Sequence, residues 1–442
     1  MSIRAERRMK AFVYVWLGQL VSGIGSGLTS FALGIWVYQR TGSATQFTLI
    51  FFFSTLAGGA SLPLAGTLID RWDRRSAMLF GNTGAAVTTL LAAVLVFTGR
   101  LEIWHVYVGV TIRTVFGSFI APALAAATTQ LVPKRHFGRA SGMLQMTQAS
   151  AQIVSPLLAG VLLAPIGLQG IIFVDFATYL VALLSLALVR IPRPEPTAAG
   201  EARGGGSLPR SAIYGWTYIQ ERRGLLALLI YFAAVNFVLG STTVLFTPMI
   251  LSFTSAEVLG TILSVSGIGF LCGSLLMSLW GGPSNRIAGV LGCGGLFGLC
   301  SMLIGLRPSA AVIAVGAFGM FFLLPVVNGC SQAIWQSKVL PDVQGRVFAV
   351  RRMIGASTLP LAYLVAGPLA DHVFEPLVAG GRVGQGLRFV IGEGRGRGIG
   401  LMFVSAGVLT VLAQFAGCLY EPLRDVEEEL PDVIPDVALS GT

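Results

Sequence analysis

Pro63-Leu64-Ala65-Gly66-Thr67-Leu68-Ile69-Asp70-Arg71-Trp72-Asp73-Arg74-Arg75 is the stretch that decides how this chain folds. An apolar run of about 20 residues, long enough to cross a bilayer, leads straight into it. Asp70 and Arg71 follow Gly66, a basic pair stands at Arg74 and Arg75, and the chain is apolar again from Met78. A hinge this short and this charged, set between two apolar runs, reads as a tight connection between membrane spans.

The same alternation extends outward in both directions. Of the 442 residues, 54% are apolar and 11% charged, and the mean hydropathy is +0.77. A soluble chain of this size carries charge on about a quarter of its residues. Apolar runs can be drawn at 12–37, 45–69, 76–98, 104–126, 139–164, 168–190, 224–250, 257–280, 287–306, 310–336, 350–373 and 398–420. The expected fold is therefore all-α and membrane-embedded, with twelve transmembrane helices. The run from Phe12 is too long for the apolar region of a signal peptide and reads as the first span. With both termini on the cytoplasmic side, inside segments hold 22 of the 30 Lys and Arg residues and outside segments hold seven. That bias is the positive-inside pattern. It also explains the net charge of +10 without nucleic acid, because the cations recur at alternate loops and form no single stripe.

One long interruption divides the chain. Residues 191–223 hold Pro192, Pro194, Pro196 and Gly204-Gly205-Gly206, a composition suited to a flexible linker. Its last part, from Gly215 to Arg223, suits a short interfacial helix. The expected organisation is a six-helix half over 1–190, a cytoplasmic linker over 191–223, a second six-helix half over 224–423 and an acidic tail over 424–442. The halves repeat each other. Gly138-Arg139 precedes Ala159-Gly160 in the first, and Gly345-Arg346 precedes Ala366-Gly367 in the second, at the same interval. Gly281 to Arg286 echoes Gly66 to Arg71, with Asn285 where Asp70 stands. Pseudo-symmetric halves of this kind are the sequence trace of alternating-access transporters.

The chemistry that can be excluded is considerable. The three lysines, Lys10, Lys134 and Lys338, lie in no phosphate-binding Gly-x-x-x-x-Gly-Lys-Ser/Thr loop. No His-Glu-x-x-His and no Gly-x-Ser-x-Gly occurs. The Gly23-x-Gly25-x-Gly27 run lies inside the first apolar span, where it follows no strand. The five cysteines all sit within apolar runs and form no Cys-x-x-Cys pair, so neither a disulfide framework nor a metal site is expected. No cofactor is expected. What remains as a driver is an ion gradient, which supplies about 2.3 kcal/mol per charge per 100 mV.

With its spacing, charge order and place in the topology, the 63–75 hinge resembles the loop between helices 2 and 3 of major facilitator superfamily transporters. That resemblance implies that Asp70 receives the open N-terminus of helix 11, near Val350 and Arg351, and holds the cytoplasmic side closed. The positive dipole end of a helix suits a carboxylate. Arg71, Arg74 and Arg75 can then pair with carboxylates or lipid phosphates; the plain alternative is a solvated, positive-inside loop. The family often has glycine where this chain has Asp73. Gly215-Trp216-Thr217-Tyr218, Gly367-Pro368 to Asp371 and Glu375, Arg395 to Gly400 and the acidic Glu427-Glu428-Glu429 resemble the macrolide-efflux and enterobactin-exporter branch. The branch implies proton antiport of a bulky amphipathic compound, such as a drug, a macrolide or a siderophore, in a bacterial cytoplasmic membrane by a monomer.

Two charges inside the first half attract notice. Arg113 lies about nine residues into an apolar span, where an arginine costs roughly 2.5–3.5 kcal/mol and faces a cavity or partner. With Gly117 it resembles the superfamily's arginine motif of helix 4, which is associated with proton coupling. Its structural alternative is a tie to carbonyls or to Asp175. Asp175 is the one acid well inside a span of that half; it is either a proton carrier or a structural acid near the outer end of its helix. For the cargo, polar and aromatic residues within spans are Gln19, Asn236, Phe237, Asn328, Gln332 and Trp335. An apolar cavity with a few such groups fits an amphipathic solute, while packing is the alternative for each. A lysophospholipid flippase or a proton-coupled uptake symporter shares this architecture, and a membrane-embedded enzyme or sensor is the reading from outside transport.

Overall fold

The computed structural model describes residues 3–132, 137–189, 208–339, 343–379, 391–392 and 394–429. Among them the regular structure is entirely helical. In hydrocarbon there is no water to satisfy a free backbone N–H or C=O, so each apolar run closes its hydrogen bonds within itself as a helix. In chain order the helices are α1 (Ile3–Thr41), α2 (Ala44–Arg71), α3 (Arg74–Phe97), α4 (Ile103–Gly117), α5 (Ile120–Leu131), α6 (Phe137–Leu188), α7 (Leu208–Gln220), α8 (Arg223–Leu251), α9 (Ala256–Trp280), α10 (Arg286–Leu306), α11 (Ala310–Lys338) and α12 (Gln344–Leu369). A π-helical turn, Ala370–Phe374, joins α12 to α13 (Glu375–Ala379), and α14 (Arg397–Leu419), α15 (Glu421–Arg424) and α16 (Val426–Glu429) complete the chain.

Ten helical segments among the described residues are long and apolar enough to cross a membrane. Of the twelve expected runs, 45–69 falls in α2, and 139–164 shares α6 with 168–190. The 52 residues of α6 bend at Gly167, whose φ of 64° is a left-handed conformation open to glycine. The expected 104–126 run is broken into α4 and α5 at Ser118 and Phe119. Pro122 explains the break, since it has no N–H to offer the Ser118 carbonyl and its ring crowds that oxygen. The expected helix over 350–373 runs on through the π turn to Ala379, with Pro360 and Pro368 inside α12.

The chain forms two compact units, one of residues 1–197 with 254–264 and the other of 198–253 with 265–442. In the first, α1 packs intimately on α6. A Cβ at Gly18 or Gly25 would collide with Ser185 or Thr178, so the glycine run of α1 serves close helix approach. Phe12, Val15, Met78, Phe119 and Leu186 form a buried cluster near one end of this unit, and Trp16 Nε1 donates to the Met143 carbonyl at 2.7 Å.

In the second unit α10 crosses α14 at glycines: a Cβ on Gly298 would lie 2.9 Å from the Gly407 carbonyl oxygen. The last part of the expected linker and the junction between the expected second half and its tail are packed into this unit. Tyr218 and Ile219 at the end of α7 join Leu225, Leu228 and Trp335 in its core. Leu423 and Val426, 3% and 0% exposed, do the same from the segment after α14. Glu427 Oε2 accepts from Ile287 N at 2.9 Å, so an acid of the expected tail caps α10. Residues 430–442 lie outside the described residues.

Candidate functional site

Four helices of the first unit converge on Asp175. The carboxylate is on α6 and is fully buried. Arg113 of α4 brings Nη1 to 3.8 Å from Asp175 Oδ2, and its side chain is 15% exposed. Ser26 of α1 places its Oγ 3.3 Å from Asp175 Oδ1 and 2.8 Å from the Tyr179 hydroxyl. A hydroxyl has one proton to give, so Ser26 serves one of these acceptors at a time. The same guanidinium donates to the Ser26 carbonyl at 3.1 Å and to Ser30 Oγ. Arg113 is thus tied both to a carbonyl and to the acid, the two anchors its place in the span requires. The hydroxyls of Thr29 and Thr89 face the carboxylate. Both are buried, so with Ser26 and Arg113 they surround the carboxylate with donors from three other helices.

A cavity of about 530 Å³ lies between α3 and α4 and reaches this group from the side. Thr29, Thr88, Thr89, His105 and Arg113 supply the polar part of its wall, and Phe80, Val87 and Phe116 belong to the apolar remainder.

The charged hinge divides at Trp72. The α2 backbone is helical through Arg71, while the surroundings of Gly66 and the side chains of Asp70 and Arg71 lie outside what the structure describes. Asp73 is the N-cap residue of α3 at φ −65°, ψ 131°. Any residue adopts that extended geometry, so an aspartate replaces the family's frequent glycine without strain. Arg75 turns away from a loop role: its Nε and Nη2 donate to the carbonyls of Leu186 and Ala187 at 2.8 and 2.9 Å. It closes the C-terminus of α6, where a cation also meets the negative end of the helix. Arg74 donates to the Trp72 carbonyl at 3.2 Å.

The echo of this hinge is set differently. Gly281 and Gly282, at φ 77° and 91°, form the turn after α9. Asn285 is the N-cap of α10, its side chain accepting from Ala288 N at 2.9 Å. Asp70 thus ends one helix, whereas Asn285 begins one. Gly345 and Arg346 start α12 with helical backbone, and their side chains also lie outside the described residues.

The six cargo candidates scatter. Gln19 is buried, 3.5 Å from Asn82 Nδ2, and packs inside the first unit. In the second unit Asn236 and Phe237 are half-buried on α8, and Asn328 is exposed on α11. Gln332 and Trp335 meet at an arginine, Arg351 of α12, that hydropathy alone placed only at the start of a span. Arg351 Nη1 donates to Gln332 Oε1 at 2.8 Å, and its Cζ stands 5.1 Å from the centre of the Trp335 ring. Ser26, Ser30 and Tyr179 were likewise not singled out. Their available signal was i, i+4 spacing, Ser26 to Ser30 and Asp175 to Tyr179, which puts each pair on one helix face. Glu375, just past the expected 350–373 run, accepts from Ile399 N at 3.3 Å and caps α14. No three His, Cys, Asp or Glu side chains among the described residues are placed to hold a metal ion.

The family model described as Major Facilitator Superfamily matches residues 15–363. A macrolide efflux protein A of Streptococcus pyogenes is 28% identical over 366 residues, covering 82% of this chain and 90% of that protein. An enterobactin exporter, EntS, of Salmonella choleraesuis is 30% identical over 196 residues, 42% of this chain and 45% of its own length. Among solved structures, a bacterial homologue of the human lysosomal transporter Spinster superposes with a TM-score of 0.68. It is 13% identical and covers 94% of this chain and 98% of its own.

Proposed function

This chain belongs to the Major Facilitator Superfamily, and from that premise we propose that it exports a bulky amphipathic compound across a bacterial cytoplasmic membrane in exchange for protons. It is a multi-pass membrane transporter of small molecules and not an enzyme. Efflux relatives support the direction of transport.

The observation that carries proton coupling is the buried Arg113–Asp175 pair, with the hydroxyls of Ser26, Thr29 and Thr89 beside the carboxylate. Two charge states are available there. In one, Asp175 is ionised and the guanidinium neutralises it across 3.8 Å. In the other, Asp175 holds a proton, and Arg113 keeps its bonds to Ser26 and Ser30 without a counter-ion. The second state leaves a cation unbalanced in a low-dielectric interior, so protonation favours whichever conformation gives Arg113 water or cargo to face. An equilibrium that a proton biases in this way is what antiport requires. Asp70, in the last turn of α2, acts as the cytoplasmic latch by analogy with the family. The protein works as a monomer with both termini in the cytoplasm.

The test is substrate-driven proton flux in inverted vesicles carrying the full chain. Addition of macrolides, dyes and siderophores to acidified vesicles is expected to collapse the gradient for some compounds and not for others. Asp175→Asn vesicles are expected to show no such response at an equal level of inserted protein. Unchanged flux in that variant removes the pair from the coupling role. A panel without any response in the parent protein removes antiport itself.

A further inference from the structure

In the second unit an arginine is held open. Arg351 lies across α11, its Nη1 donating to Gln332 Oε1 at 2.8 Å and its Nη2 to Ser331 Oγ at 3.1 Å. Trp335 lies beneath the guanidinium at 5.1 Å. Ser331 and Trp335 are 0% and 1% exposed, so two of the three contacts are fixed by the core. A guanidinium carries five N–H donors and finds its strongest partner in a planar oxyanion. Here both hydrogen-bond partners are neutral. Among the described residues no carboxylate forms an ion pair with Arg351, and the next residue, Arg352, adds a second cation. No Arg351 nitrogen is buried without a partner, and the side chain is half-buried. A structural arginine inside a span is tied to carbonyls or to an acid, as Arg113 is. Among the described residues Arg351 has neither.

We propose that Arg351, oriented by Gln332 and Ser331 and floored by Trp335, binds an oxyanion carried by the exported compound, a carboxylate or an acid of like geometry. This deepens the transport reading and rests on it: the cargo is an amphipathic anion whose acid sits on the Arg351 fork. Arg351 is a binding residue, and Gln332 and Ser331 are positioning residues that hold its plane.

The test is binding by the full-length protein in a neutral detergent, read by fluorescence polarisation. The probes are aromatic dyes that carry a free carboxylate, each paired with its own methyl ester, on three scaffolds. At least one acid is expected to bind about tenfold more tightly than its ester, the yield of one charge-assisted contact. Arg351→Gln is expected to bring that ratio to about one. Gln332→Glu keeps the arginine but supplies a carboxylate at the Gln332 position; it is also expected to erase the ratio, and it guards against a fold defect in the first variant. Equal affinities for acid and ester on all three scaffolds overturn the proposal, as does a ratio that survives both variants. Lipid phosphate is the other source of such an anion. If added phosphatidylglycerol abolishes the acid preference, the site belongs to a headgroup and the assignment to cargo falls. Binding in detergent needs no gradient, so loss of proton coupling and loss of acid preference are separately visible.

Discussion

Arg113 and Arg351 are both arginines within spans, and their surroundings are opposites. Arg113, in the first unit, meets a fully buried carboxylate, a backbone carbonyl and a serine. Arg351, in the second, meets an amide, a hydroxyl and an indole. The contrast separates two ways of keeping a cation in a low-dielectric place. The first neutralises it internally, so its balance changes only when Asp175 takes a proton. The second, among the described residues, leaves its charge uncancelled, so its balance changes when an anion arrives from outside.

The largest effect that separates them is on stability. Arg113→Ala leaves Asp175 buried without its cation, and removing one partner of a buried pair costs roughly 3–5 kcal/mol. Thermal unfolding in detergent is expected to show that loss, and Arg351→Ala, which strands no carboxylate, is expected to show far less. Equal losses would erase the contrast. Next comes transport: Asp175→Asn should lower substrate-driven proton flux by about a hundredfold, or roughly 2.7 kcal/mol, while membrane insertion is unchanged. Arg351→Gln should leave the flux driven by an uncharged substrate near the parent rate. Ser26→Ala removes the hydroxyl between Asp175 and Tyr179 but keeps the carbonyl that Arg113 uses. A fall of about fivefold in flux, near 1 kcal/mol, is expected for one hydrogen bond. The smallest effect is expected at Thr89→Val. Its hydroxyl is one of several donors that face Asp175, and the others remain, so an apolar replacement of the same shape should shift stability by less than about 0.5 kcal/mol. A large loss there would mean that Thr89 is the donor on which the acid depends.

Much of this was legible in the order of residues. Arg113 and Asp175 stand out because each is a lone charge in an apolar run, and such a charge must find a partner. Their pairing was one of the two anchors open to Arg113, and the fold supplies both. The hinge was legible as a connection, but its symmetry was not. Gly66 to Arg71 and Gly281 to Arg286 have equal spacing, yet Asp70 closes α2 and Asn285 opens α10. Spacing counts residues and does not record where a helix stops. Arg75 read as a loop cation and closes the end of α6 instead, because its partners are carbonyls 111 and 112 positions away in the chain. Gln332 and Trp335 were identifiable as polar and aromatic groups within a span, but not as the two sides of an arginine's seat.

The sequence by itself determined the membrane-embedded helical class and the approximate extent of the spans. Hydropathy suffices for that, because a bilayer forces every apolar run to satisfy its own backbone. Tertiary structure alone decided which buried charges have counter-ions. That depends on the rotation of each helix about its axis and on packing between helices far apart in the chain. Arg113 therefore found Asp175, and Arg351, among the described residues, found only neutral hydrogen-bond partners.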